Sequence, residues 1–210
     1  MNAHEFARYP TGNFCNAHPS VRALPTHFRP LIAGRRVAGS ARTARITAGQ
    51  NGAIHRAIHN AEPGDLLVVD GAGSERYGAF GDLLAEACRM RQIAGAVLNC
   101  TIRDSRDIAA LDFQVFSLGF HPEATAKTEP GEIDIPVIVD GIPVHPGDIV
   151  VGDDDGVVVI PLAIAAEVLV AVDAVARREV AIRERIQAGE TTLEIFGLGG
   201  VANTEEQGKG

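Results

Sequence analysis

An arginine and an aspartate stand side by side, Arg103-Asp104, after an apolar run, and a second acid, Asp82, precedes them with twenty residues between. These residue types admit two readings. One is a surface ion pair, worth about 0–1 kcal/mol. The other is a binding site. A guanidinium is a planar fork matched to a carboxylate. One or two carboxylates suffice for Mg²⁺, which keeps several of its waters, whereas zinc asks for a fuller cage. Gly78 and Gly81 lie just before Asp82 and let a ligand come close to a helix start, whose free N–H groups attract anions. An acid at that start also has a plain structural reading, since the helix dipole favours it. Three charges at the ends of buried elements favour a site that holds an anion beside a cation.

Placing the charges this way needs a strand–helix–strand unit, and Pro63 to Asp107 reads as one. Pro63-Gly64-Asp65 is a turn, with proline at the first corner and glycine supplying positive φ at the second. Leu66–Val69 is a continuous apolar run, a strand buried on both faces. Gly71-Ala72-Gly73 reads as a tight backbone turn. A dinucleotide fingerprint there would need a third glycine where Arg76 stands. Leu83, Leu84, Ala87, Cys88 and Arg91 recur at helical spacing, so Gly81–Arg91 is a helix. Ala94–Asn99 is a second buried strand that delivers Arg103-Asp104 near the same edge. Upstream, Arg36–Thr47 alternates like a half-buried strand. Ala53–Ala61 is helical, with His55 and His59 at i and i+4. No Glu follows His55, so the metalloprotease pattern is absent and the helix reads as the edge of a core.

Downstream, Arg106–Leu111 is a short helical turn, Val115–Ser117 a short strand and Thr125–Asp134 a polar loop. Val137–Val139 and Ile142–Val144 form a hairpin on Asp140-Gly141, a dipeptide suited to a type I′ turn. Pro146-Gly147-Asp148 before Ile149-Val150-Val151 echoes Pro63-Gly64-Asp65 before Leu66-Leu67-Val68. Asp153-Asp154-Asp155-Gly156 lacks the spacing and closing Glu of a calcium loop and reads as a β-turn before the strand Val157–Ile160. Pro161 opens and Gly189 closes one long helix, Leu162–Ala188. Its apolar first half packs on the sheet. Its charged second half projects, with Glu179 and Arg183 at i, i+4. The first thirty residues, broken by four prolines, read as irregular with a short helix around Asn13–His18. Residues 1–198 are one domain and residues 199–210 a flexible tail.

The chain has 210 residues, 46% hydrophobic and 22% charged, the profile of a globular domain with its own core. A net charge of −8 disfavours nucleic acid as a partner. No apolar run spans a bilayer and no signal peptide is legible, so the expected location is cytoplasmic. Cys15, Cys88 and Cys100 form no CxxC pair and read as reduced thiols, with Cys88 and Cys100 as small core residues.

Asp82, twenty residues, then Arg103-Asp104 resembles the signature of the class II pyruvate aldolases of the RraA-like family, which includes 4-hydroxy-4-methyl-2-oxoglutarate / 4-carboxy-4-hydroxy-2-oxoadipate aldolase. The resemblance runs from roughly Leu31 to Leu198 and takes in PGDLLVVDG, GDLLAEA, IRD, PGEIDIPV, VHPGDIVVGDDDGVVVIP and AGETTLEIFGL. It implies an α/β fold, an αββα sandwich resembling the phosphohistidine swivelling domain, with a long C-terminal helix. It implies homotrimers or homohexamers with active sites between subunits. Mg²⁺ or Mn²⁺ would be held directly by Asp104, with Asp82 and a neighbouring subunit's counterpart of Glu179 on the waters of the cation. Arg103 would clamp the pyruvyl group, and the helix start at Gly81–Leu84 would hold its carboxylate through the N–H groups of Leu83 and Leu84. The implied reaction cleaves a small-molecule 4-hydroxy-2-oxo acid to pyruvate and a second oxo acid, with oxaloacetate decarboxylation through the same enolate. The family also includes a non-catalytic regulator of an RNA-degrading enzyme, so an RNase or other protein partner is the alternative.

Overall fold

The N-terminal thirty residues are more ordered than their prolines suggest. In the computed structural model, which describes residues 2–198, a 3₁₀ helix (Ala3–Arg8) and helix α1 (Thr11–Ala17) bury Phe6 and Phe14 completely. The two rings stack at 5.9 Å. Two-residue strands β1 (Arg22–Ala23) and β2 (Arg29–Pro30) follow, each an edge of the sheet. Edge strands tolerate proline because their outer N–H needs no partner.

The next stretch alternates strand and helix: β3 (Val37–Arg45), α2 (Gly52–Asn60), β4 (Asp65–Ser74), α3 (Asp82–Met90), β5 (Gly95–Cys100), α4 (Ser105–Ala110) and β6 (Val115–Ser117). β3, β4, β5 and β6 are parallel neighbours in that order, so each helix is a crossover and all four strands end at one edge. The polar loop after β6 contains a short strand, β7 (Glu132–Ile133), paired with β3. Then come the hairpin β8 (Val137–Val139) and β9 (Ile142–Val144), β10 (Ile149–Asp153), β11 (Gly156–Ile160), α5 (Ala165–Gln187) and α6 (Thr192–Ile195). Asp140 and Gly141 both have positive φ, as a type I′ turn requires. β10 and β11 continue the sheet in antiparallel fashion on the far side of β3.

The repeated Pro-Gly-Asp is one turn chemistry used twice. Gly64 and Gly147 both have φ of +88°. Asp65 accepts from the Glu62 N–H at 2.9 Å and Asp148 from the His145 N–H at 2.8 Å, each three residues back. The resulting strands, β4 and β10, flank β3.

Alternate residues of each strand feed two faces. Leu67, Val69, Ala96 and Leu98 pack under α2, α3 and α4, while Ala38, Ile149, Val151 and Ile160 pack under α1 and α5 from the same face. The opposite face, with Leu66, Val68, Val97, Val150 and Phe116, shares a core with the β8–β9 hairpin. The sheet curls around that inner core. A Cβ on Gly152 of β10 would lie 2.5 Å from the ring of Phe116 on β6, although three strands separate them in the sheet. The helices cover the outer face of the curled sheet and the hairpin its inner face. The mixed α/β class and the long C-terminal helix stand as expected.

Gly71-Ala72-Gly73 is not a tight turn. It lies inside β4, where the register to β5 shifts between Asp70 and Ser74. Ala72 and Gly73 take positive φ and the Ala72 N–H donates to Asp70 Oδ1 at 3.0 Å, the geometry of a bulge rather than a turn. Gly71 is needed because a Cβ there would meet Cys100 Cβ at 2.7 Å. The chain does not pass directly from these glycines into a helix, so the context of a phosphate-binding turn is absent.

Candidate active site

The loops that leave the carboxyl ends of β3, β4, β5 and β6 meet in one place, the edge where ligands bind in parallel α/β sheets. Asn51 follows β3, Gly78–Asp82 follows β4, Arg103-Asp104 follows β5 and Thr125–Lys127 follows β6, and residues of all four loops line a cleft of about 100 Å³.

The loop before α3 is laced to the end of β5. The Ala79 N–H donates to the Thr101 carbonyl at 3.0 Å, the Thr101 hydroxyl to the Tyr77 carbonyl at 2.9 Å, and the Arg103 N–H to the Phe80 carbonyl at 2.9 Å. Phe80 is fully buried and stacks on Phe113, which anchors the start of α3. Gly78 is required by proximity, and Gly81 leaves room for a side chain. A Cβ on Gly78 would run into the His121 carbonyl oxygen and would lie 2.6 Å from Arg103 Cβ. A Cβ on Gly81 would lie 2.5 Å from Asp104 Oδ2.

Asp82 and Arg103 therefore line the same cleft, and Asp104 lies against Arg103 and Gly81 at its border. Arg103 Nε is 3.1 Å from Asp104 Oδ2, and both side chains are about one-third exposed, 37% and 33%. Asp104 breaks two local rules. It has φ of +56°, a conformation that is uncommon outside glycine. It also occupies the N-cap of α4 without capping it, although aspartate is a strong N-cap. Its carboxylate is turned toward Gly81 and Arg103 instead. A residue held in a sparsely populated conformation and withheld from its usual partner points to a functional constraint.

The N-terminus of α3 is open on the same side. Gly81, its N-cap, has no side chain to offer. The Leu84 N–H donates to the Gly81 carbonyl at 3.1 Å. The N–H groups of Asp82 and Leu83 make no hydrogen bond among the described residues. Of the two donors expected to hold a carboxylate, Leu83 is free and Leu84 is engaged. Asp82 is half-buried, and the Leu83 side chain is 78% exposed at the rim.

Glu179 lies elsewhere. It is on the projecting half of α5, in a groove with Arg178, Ile182, Ile186 and Phe196, and does not line the cleft of its own chain. It forms no ion pair with Arg183. The i, i+4 pair of that helix is Asp173–Arg177.

Three cleft residues carry no site signal of their own in the sequence. Asn51 is 6% exposed. Its Nδ2 donates to the Ala79 carbonyl at 3.1 Å, which fixes the amide orientation, and its Oδ1 has no donor. An unpaired buried acceptor costs about 1–3 kcal/mol. His55, read from sequence as a helix edge, borders the cleft, and burial followed by the nearby Lys127 pushes its pKa down. Lys127, inside the polar loop after β6, completes the wall. The feature that could have pointed to it is compositional. Of 19 Lys and Arg residues, the lysines are only Lys127 and Lys209.

The donors present suit a hard, well-hydrated cation. Among the described residues no group of three or more His, Cys, Asp or Glu is placed to share a metal, so a zinc cage is absent. The Asp104 carboxylate, with Gly81 leaving space against it and Asp82 next along the chain from that glycine, matches the one or two carboxylates with which Mg²⁺ is content.

No helix among the described residues is long and apolar enough to cross a membrane. Residues 11–159 match the family model described as RraA-like, Aldolase/RraA. A protein of Halalkalibacterium halodurans provisionally named 4-hydroxy-4-methyl-2-oxoglutarate aldolase is 37% identical over 75% of this chain and 75% of its own length. The solved structure of the RNA-processing inhibitor RraA from Thermus thermophilus superposes with a TM-score of 0.67 at 31% identity, covering 72% of this chain and 92% of that one. A solved structure from Geobacillus kaustophilus, named S-adenosylmethionine:2-dimethylmenaquinone methyltransferase, gives 0.67 at 32% identity over 72% and 94%. On the span of that family match and the identity of these relatives, the chain belongs to the RraA-like family.

Proposed function

We propose that the protein is a divalent-cation-dependent carbon–carbon lyase that cleaves a 4-hydroxy-2-oxo acid to pyruvate and a second oxo acid, and that it decarboxylates oxaloacetate as a side activity. The observation that carries this reading is that Asp82 and Arg103 line a cleft beside an uncapped helix start, with the Asp104 carboxylate lying against Arg103 and Gly81. The name of the Halalkalibacterium relative supports it.

Asp104 would hold Mg²⁺ or Mn²⁺, with Asp82 next to it. When bound, the cation supplies a Lewis acid beside the keto oxygen. Arg103 pairs with the pyruvyl end of the substrate, and the N–H groups of Asp82 and Leu83 receive its carboxylate. In the reaction the 4-hydroxyl loses its proton, the C3–C4 bond breaks, and C4 becomes a carbonyl. The electron pair passes to the pyruvate enolate, whose negative charge Arg103 offsets. Protonation of C3 completes pyruvate. Asp82, which lines the cleft, would take the proton and return it. Oxaloacetate loses CO₂ from C4 to give the same enolate. Glu179 would join from a neighbouring protomer of a homotrimer or homohexamer, which accounts for an acid on the projecting half of α5.

Purified protein with Mg²⁺ should release pyruvate from 4-hydroxy-4-methyl-2-oxoglutarate and from oxaloacetate, and EDTA should stop both. Absence of pyruvate in both assays overturns the proposal. The second reading is a regulator of RNA processing, favoured by the likeness to the Thermus inhibitor of RNA processing. In that case Arg103→Ala would leave inhibition of an RNase intact, whereas the lyase reading predicts no such inhibition.

A further inference from the structure

We infer that the two proton transfers of the lyase reaction are divided between two walls of the cleft: His55 takes the proton of the substrate 4-hydroxyl, and Asp82 returns one to C3. The inference rests on the lyase reading and moves one of its two transfers from Asp82 to His55.

Few side chains of the cleft can accept a proton. Arg103 and Lys127 carry donors only, and Asn51 and Thr125 carry no group that is protonated near neutral pH. Asp82 and His55 remain, and they stand on different elements. Asp82 opens α3, whose start is left uncapped by Gly81. His55 is on α2 and lies near Lys127. The two elements are tied together. The Asn51 side chain, at the N-cap of α2, donates through Nδ2 to the Ala79 carbonyl at 3.1 Å, in the loop that leads to Asp82. The His55 N–H in turn donates to the Asn51 carbonyl at 3.4 Å.

The His55 ring is free to act. Among the described residues, the imidazoles that hydrogen-bond or pair with a carboxylate belong to His18, His27, His121 and His145. Burial, followed by the charge of Lys127, pushes the His55 pKa down, so the ring is neutral, and therefore a base, near neutral pH. The other charged groups around it are Asp82 and Arg103, which line the same cleft, and His59 and Arg56 on its own helix, the last engaged with the carbonyls of Pro130 and Gly131.

A substrate held by its pyruvyl end has C1 at the start of α3 and C4 directed away from it. The 4-hydroxyl gives its proton to a ring nitrogen of His55. The O–H electron pair then forms the C4 carbonyl, and the C3–C4 pair passes into the enolate. Asp82, carrying a proton taken from solvent, delivers it to C3. His55 gives its proton to solvent, so both groups regain their starting states and the proton count balances. Oxaloacetate has no hydroxyl at C4. Its C3–C4 bond opens as CO₂ leaves, with no proton to remove, and only the return of a proton to C3 is shared with aldol cleavage.

The test compares the two reactions in one variant. His55→Gln protein with Mg²⁺ is assayed for pyruvate release from 4-hydroxy-4-methyl-2-oxoglutarate and from oxaloacetate. His59→Gln, one turn along α2 and outside the cleft lining, is the control. His55→Gln should lower kcat/KM for aldol cleavage by at least about a hundredfold, the usual scale of a lost general base, and leave decarboxylation within about threefold of wild type. His59→Gln should leave both unchanged. Retained decarboxylation in His55→Gln shows that its fold and its enolate chemistry are intact. The inference is overturned if cleavage survives His55→Gln, or if cleavage and decarboxylation fall together. A wild-type protein that does not cleave the hydroxy acid overturns the lyase reading, and the inference with it, before any variant is compared.

Discussion

Asp104 combines two locally unfavourable choices, as the proposed cation-holding role would ask of it. Aspartate at an N-cap normally stabilises its helix, and positive φ normally falls to glycine, yet this one accepts a strained backbone and leaves its helix uncapped. Its neighbour Arg103 is partly exposed and has Asp104 as its ion-pair partner, so Arg103→Ala should leave the melting temperature nearly unchanged. The same variant should lower kcat/KM by about 10²–10³, the usual effect of removing one donor to developing charge, as measured by pyruvate release. Gly81→Ala tests the space around Asp104. φ at Gly81 is −131°, so the backbone tolerates alanine. The new Cβ meets the far end of a movable carboxylate at 2.5 Å. Stability should hold within about 0.5 kcal/mol, while the Mg²⁺ concentration for half-maximal activity rises at least about tenfold. Persistence of wild-type metal dependence would show that Asp104 does not hold the cation. The two buried cysteines, Cys88 and Cys100, serve packing. Burial pushes both the Cys88 and Cys100 thiols up to about 12, so at pH 8 neither is nucleophilic. Native protein should take at most one iodoacetamide, at exposed Cys15, and denatured protein three, by mass spectrometry.

Among the elements, α1 depends on an acid far away in sequence. Its N-cap is Pro10, which offers no side-chain bond. Asp153, at the turn between β10 and β11, accepts instead from the Thr11 N–H at 2.9 Å and the Thr11 hydroxyl at 2.7 Å. The acidic turn that resembles a calcium loop is thus occupied in part by helix capping. Asp153→Ala leaves buried donors unpaired and should cost about 2–3 kcal/mol in urea unfolding. Faster amide exchange should centre on α1. A loss of stability without that local effect would argue against the capping role. The projecting half of α5 has the opposite character, since Val180 and Ile186 remain exposed there and Glu179 faces a groove away from the cleft.

At the level of the whole molecule, two predictions test how the pieces come together. Curling of the sheet brings Gly152 under Phe116, and a buried ring has little room to yield. Gly152→Ala should destabilise by about 1–3 kcal/mol. Phe116→Leu should recover part of that loss in a double-mutant cycle. If Glu179 acts from a neighbouring protomer, Arg103→Ala and Glu179→Gln proteins are each inactive. Mixed and reassembled in equal amounts, they should regain about a quarter of wild-type activity, because about one interface in four then combines two intact residues. No recovery would remove Glu179 from the shared site.

The unit from Pro63 to Asp107 is legible in the amino-acid order, because helical and strand periodicities and Pro-Gly-Asp turn chemistry are local properties. The same is true of the long last helix and the hairpin on Asp140-Gly141. The N-terminal helices are harder to read because Phe6 and Phe14 are ordered by burial against α5 and the sheet, not by propensity. The bulge at Gly71–Gly73 has the composition of a turn because its cause, Cys100 on the next strand, is a tertiary neighbour. The cleft divides the same way. Asp82, Arg103 and Asp104 announce themselves by charge at element ends. Asn51, His55 and Lys127 do not, since their meeting depends on four parallel strands ending at one edge, and a side chain's spacing along the chain carries no record of which distant loop the sheet will set beside it.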